Sequence, residues 1–262
     1  MAKVAPRRLG ASPPSEHGVE RRAGTASKSR QGRRPAQGNL PFRTWGGRRV
    51  GAGRKPAGER AGVPHVARDA HLARHPVHVT LRAARALPSL RKESIFLALR
   101  GAIACCSEQR FRVLHFSVQS DHVHLLVEAA DPEGLSRGVS GLSIRLARAI
   151  NRVLGRRGRV WGDRYHARTL RTPREVRHAL VHVLMNWRKH VHEAREFDPC
   201  ASVFWFDGWR TQEDRTRAAR AAARQGGSSP APPVSPPRTW LASKGWRRHG
   251  LIDAKERPAA RD

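Results

Sequence analysis

An α+β fold built on one antiparallel sheet is what residues 75–210 predict, on three observations. Strand-like and helix-like periodicities follow one another in the order strand, helix, strand, strand, helix, strand, helix. Two of the strand-like runs are separated by only three polar residues, and two helix starts carry strong capping chemistry.

The first run, residues 76–82, alternates: Val77, Val79 and Leu81 fall on one face and His78 on the other, the period of a half-buried strand. Over residues 89–106, Ile95, Phe96, Leu99, Ala102, Ile103 and Cys106 recur at helical spacing. Residues 111–118 and 122–128 read as two strands, and Gln119-Ser120-Asp121 is short and polar enough to join them as a hairpin. Asp131-Pro132 then starts a long helix with the apolar stripe Leu135, Val139, Leu142, Leu146, Ile150 and Val153, and Gly155 ends it. A fourth strand is predicted over residues 164–170. Thr172-Pro173-Arg174-Glu175 is a capping box with proline at the first helical position. The order is the ferredoxin-like βαββαβ pattern with an additional C-terminal helix.

Composition narrows the partner. The 262 residues hold 51 Lys and Arg, 44 of them Arg, against 21 Asp and Glu, a net charge of +30. A surface this positive attracts polyanions, so phosphate-rich ligands lead. The charge divides as +13 over residues 1–74, +11 over 75–210 and +6 over 211–262. The first segment is poor in Val, Ile, Leu and Phe and studded with Gly, Pro and Ser, so it reads as a largely disordered basic DNA-binding arm. Within it, Arg48, Arg49, Arg54 and Lys55 stand among small residues that suit entry into a narrow minor groove; a solvated basic linker is the equal alternative. Residues 75–210 form the catalytic or DNA-binding domain. The last segment is an Ala/Arg-rich helix-prone stretch, a Pro-rich linker and a small docking element around Thr239-Trp240-Leu241 and Trp246.

Other classes drop out. No run approaches the ~18 apolar residues of a membrane span, and the N-terminus has no apolar signal core. A presequence of the Arg- and Ser-rich, acid-poor type stays open for the first 35 residues. Three cysteines cannot all pair and lack zinc spacing, which points to reduced thiols in the cytoplasm.

Chemistry concentrates in Ser120-Asp121-His122-Val123-His124. Residues two apart share a strand face, so His122 and His124 project together and can hold a divalent ion that polarises a phosphoryl oxygen; a purely structural pair is the competing reading. On the flank of the long helix, Arg137, Arg145, Arg148 and Arg152 form a row suited to a phosphate backbone. His78 and His115 read as strand-surface or supporting groups, His178, His190 and His192 as a solvated helix flank, and Trp205 and Trp209 as a core or subunit contact.

These motifs, together with His75-Pro-Val-His-Val-Thr-Leu81, Asp163-Arg-Tyr-His-Ala167 and Asn186-Trp-Arg-Lys-His190, resemble the single-tyrosine HUH transposases, in particular the REP-associated tyrosine transposase branch, over roughly residues 42–210. The resemblance implies metal-assisted nicking and rejoining of hairpin or single-stranded DNA in a prokaryotic, nucleoid-associated cytoplasmic homodimer. It implies Mg2+ or Mn2+ held by His122, His124 and Asn186. The tyrosine nucleophile would stand four residues before Asn186, and here that residue is His182. The expectation is a transposase-like DNA-binding protein that recognises hairpin or single-stranded DNA with its strand transfer diminished. The alternatives are an active nuclease or transposase using His182 or the only tyrosine, Tyr165, and a nonspecific basic nucleic-acid-binding protein.

Overall fold

A computed structural model describes residues 70–106, 109–189, 197–225 and 232–258. The N-terminal arm, with Arg48, Arg49, Arg54 and Lys55, lies outside the described residues, as do His190, His192 and most of the Pro-rich linker.

The chain forms β1 (Val77–Arg82), α1 (Glu93–Ala104), β2 (Phe111–Val118), β3 (His122–Ala129), α2 (Pro132–Val153), β4 (His166–Thr169) and α3 (Pro173–Met185). The strands make one sheet of order β2-β3-β1-β4, every pair antiparallel. This is the ferredoxin-like arrangement that the element order predicts. The fourth strand is shorter than the expected 164–170, because a bend at 162–164 separates it from an isolated bridge between Ala83 and Trp161.

Alternation along the strands sorts side chains onto two faces. Val77, Val79, Leu81, Val123, Leu125 and Val127 pack with Leu99 and Ile103 of α1 and with Leu142, Leu146 and Ile150 of α2. Each such fully buried aliphatic side chain contributes roughly 1.5–3 kcal/mol. Asp131 caps α2 by accepting from the Gly134 N–H at 2.7 Å, and Gly138 lies so close under the Phe111 ring that a Cβ there would collide with it. That contact seats α2 on β2. At the other end Gly155 takes a φ of +59° just past the helix, a left-handed turn that glycine adopts without strain. Val153 departs from the expected stripe: it is 39% exposed, and Leu154 packs against the core in its place.

The opposite face carries α3. A bulge between Val113 and His115 turns Leu114 to this side, where it joins Leu126, Leu170, Val176, Leu180 and Leu184 in a second core. The expected capping box is present, Thr172 accepting from the Glu175 N–H at 3.2 Å and Glu175 accepting from the Thr172 N–H at 3.0 Å. Beyond Arg210, Ala218, Leu241, Ala242, Trp246, Ile252 and Ala254 join this core as well. The Ala/Arg-rich stretch forms α4 (Gln212–Gln225), and a short helix, α5 (Trp240–Ser243), leads into a 3-10 turn at Gly245–His249. Trp246 and Ile252 are buried beside Trp209, whose burial answers the core reading made for it. Two carboxylates fasten this segment. Glu128 of β3 accepts from the backbone N–H groups of Arg238 (2.9 Å) and Thr239 (2.8 Å), and Glu256 accepts two bonds from Arg177 of α3 (2.6 and 2.9 Å).

Candidate metal and nucleic-acid site

The register of the central strands decides which polar side chains meet. In β3, His122 and His124 alternate with core residues and face the α3 side. Across the ladder Thr80 of β1 is opposite His124 and His78 is opposite Leu126, so His78, Thr80 and His124 share one patch. The α3 helix lies over it through Val176, Leu180 and Leu184, which brings His182 down onto the strands. The ring centroid of His182 is 4.7 Å from that of His124 and 5.4 Å from that of His78. Asn186, one turn further on, is buried at the end of α3.

A hydrogen-bond chain runs through the patch. His122 Nδ1 is 2.6 Å from an Asp121 carboxylate oxygen, and its Nε2 is 2.9 Å from His124 Nε2. His124 Nδ1 lies 3.2 Å from both His78 Nε2 and the Thr80 hydroxyl. The carboxylate can only accept, so with neutral rings His122 carries its proton on Nδ1, accepts at Nε2 from His124, and leaves the His124 lone pair on Nδ1, towards β1. Burial opposes the charge on Asp121, but the hydrogen bonds and fields of His122 and Arg82 outweigh it and hold its carboxyl below the usual range.

Among the described residues, one group of three His, Cys, Asp or Glu side chains is placed to share an ion. It is His78, His124 and His182, whose ligand atoms all lie within 4.8 Å of one another. Three imidazoles on rigid elements suit a borderline divalent ion such as Zn2+ and suit Mg2+ and Mn2+, which favour oxygen ligands, poorly. His78 and Thr80 were not legible as site residues. Alternation puts His78 on the polar face of β1, but only the register with β3, 46 residues away, shows what it faces.

The remaining candidates are placed elsewhere. Tyr165 packs against the α1/α2 core, across the sheet from the histidines. Its neighbour His166 pairs with Thr80 and so lies on the histidine face, exposed. The arginine row rides on α2, whose buried stripe joins the first core, so the sheet separates it from the histidines. Arg137 pairs with Glu133 at 2.9 Å, Arg145 donates to the Cys105 carbonyl at 2.6 Å, and Arg148 and Arg152 are exposed.

Residues 74–178 match a family model described as transposase, IS200 like. Among solved structures the chain is similar to one titled as the REP-associated tyrosine transposase bound to a REP hairpin, at 17% identity, covering 53% of this chain and 82% of that one, with a TM-score of 0.44. No curated protein matches. No helix among the described residues is long and apolar enough to cross a membrane.

Proposed function

We propose that this protein, whose residues 74–178 match the model of the IS200-like transposases, is a member of that family that binds hairpin or single-stranded DNA and does not form a covalent protein–DNA intermediate. One observation carries the reading: His182, on the helix laid over the histidine face, stands where the family resemblance requires the attacking tyrosine, four residues before Asn186. A tyrosine makes a phosphodiester with the 5′ phosphate and preserves bond energy for rejoining. An imidazole attacking phosphorus would make a phosphoramidate of different stability, from a side chain of shorter reach. The packing of Tyr165 on the other face of the sheet supports the reading that it does not replace the missing tyrosine.

The histidine face would hold a divalent ion, by family layout on His122, His124 and Asn186. Bound there, an ion supplies charge stabilisation at a phosphoryl oxygen. Asp121 holds the His122 ring in place, and Thr80 does the same for His124. Affinity comes from arginine. The arm with Arg48, Arg49, Arg54 and Lys55 would add sequence-tolerant contacts, and the row Arg137, Arg145, Arg148 and Arg152 would meet phosphates on the α2 side. A homodimer in the cytoplasm, associated with the nucleoid, is the proposed setting.

The test is incubation of the protein with labelled hairpin DNA and Mn2+ or Mg2+. Tight hairpin binding with neither cleavage nor adduct is expected, whereas equal affinity for hairpin and random duplex DNA would sink the proposal. An adduct mapped by mass spectrometry to Tyr165 or His182 would establish the active-enzyme alternative. The variant His182→Tyr is expected to gain cleavage and a covalent adduct, both lost again when His122→Ala is added.

A further inference from the structure

We propose that His182 is a metal ligand, and that with His78 and His124 it forms a three-imidazole site for an ion of the Zn2+ class. The inference deepens the reading above, on which it rests for the presence of an ion at the histidine face; it moves the ion from the layout on His122, His124 and Asn186 to a different set of residues. Three observations support it. The ligand atoms of His78, His124 and His182 lie within 4.8 Å of one another, and His122 is not part of that group. His78 Nε2 and His124 Nδ1 stand 3.2 Å apart, near the ~3.3 Å that two nitrogens take on one tetrahedral Zn2+. The three residues come from β1, β3 and α3, elements fixed by the ladder and by the second core, so their rings are held with little freedom to lose on binding.

Replacing the phenol by an imidazole thus changes the role of position 182 from attacking phosphorus to holding the ion. Three protein ligands leave a fourth position open, and the group that fits it is a water or a phosphate oxygen of the bound DNA strand. His122 becomes a positioning residue, which orients His124 through the shared hydrogen bond.

Tag-free full-length protein titrated with Co2+ and Zn2+ tests this without reference to activity. The wild type is expected to bind one ion and to show the strong visible bands of four-coordinate Co2+. His78→Ala and His182→Ala should each weaken Zn2+ binding at least about a hundredfold, and His122→Ala less, as expected for loss of an outer partner. Because the alanine variants can lose folding, His182→Cys supplies a positive signal. A thiolate-to-Co2+ charge-transfer band in the near ultraviolet should appear in that variant and not in the wild type, whose three cysteines lie elsewhere. Zn2+ binding unchanged in His182→Ala, with no charge-transfer band in His182→Cys, would overturn the inference and return the ion to His122, His124 and Asn186. A wild type that binds neither ion also overturns it, while the hairpin-binding measurement still decides the function separately.

Discussion

The two faces of this sheet share the same strands, and even adjacent residues of one strand, yet they are built for different work. Val123, Leu125 and Val127 enter a core of aliphatic and aromatic side chains from α1 and α2. His122, His124, Leu126 and Glu128 point the other way, where an apolar core, a histidine patch and two tail-fastening carboxylate contacts divide the surface. The α1/α2 face rests mainly on apolar volume at the right period, with Gly138 allowing α2 to close on Phe111. The α3 face holds polar groups such as His115, His124 and Glu128 through specific hydrogen bonds, and its stability therefore depends on geometry and on protonation as well as on area.

The largest break in this comparison comes from neighbouring positions. Leu125→Ala is expected to cost about 3 kcal/mol, since it removes a fully buried side chain from a packed core. His124→Ala, one residue away, should cost about 1 kcal/mol and abolish ion binding, as urea denaturation and metal titration would show. Equal costs would mean that the histidine face is also a stability core. A somewhat smaller effect concerns pH. His115, on the α3 face beside Ser202 and Phe206, is pushed by burial to a pKa of about 4 from an ordinary value near 6.5. The unfolded chain therefore takes up a proton below pH 6.5 that the folded one refuses until about pH 4. Across that window the wild type should lose about 2–3 kcal/mol that a His115→Leu variant keeps. Smallest is the cap: Thr172→Ala should cost about 1 kcal/mol by thermal unfolding, and it should weaken ion binding more than an equal destabilisation of α2, because only α3 carries His182.

Much of the fold was legible because its signals are local. The α2 stripe from Leu135 to Ile150, the capping residues Asp131 and Thr172, and the three-residue hairpin link are all written within a few positions of the elements they define. That His122 and His124 share one face of a strand was legible for the same reason, since they stand two apart on it. His78 was not, because its meeting with His124 depends on a register between β1 and β3 that no local pattern reveals. The arginine row shows a related gap. Its helix is plain from sequence, but periodicity cannot say which face of the sheet that helix covers, and the row stands across the sheet from the histidines. The docking element around Trp246 was visible only as an aromatic cluster, since its partners on α3 and at Trp209 are tertiary.

The fastening of the tail has a consequence for how the protein is made. Glu128 finds its backbone donors 110 and 111 residues later, at Arg238 and Thr239, and Arg177 finds Glu256 after 79. On the ribosome, the α1/α2 layer has all of its helices and most of its strands early, whereas the α3 layer waits for residues made 79 to 111 positions after their partners. The newborn chain thus passes through a stage in which one side of the sheet is finished while Leu114, Leu126 and the apolar stripe of α3 still lack part of their cover. Truncation before Trp246 should prolong that stage and be seen as aggregation of the nascent product, with the first layer already protease-resistant.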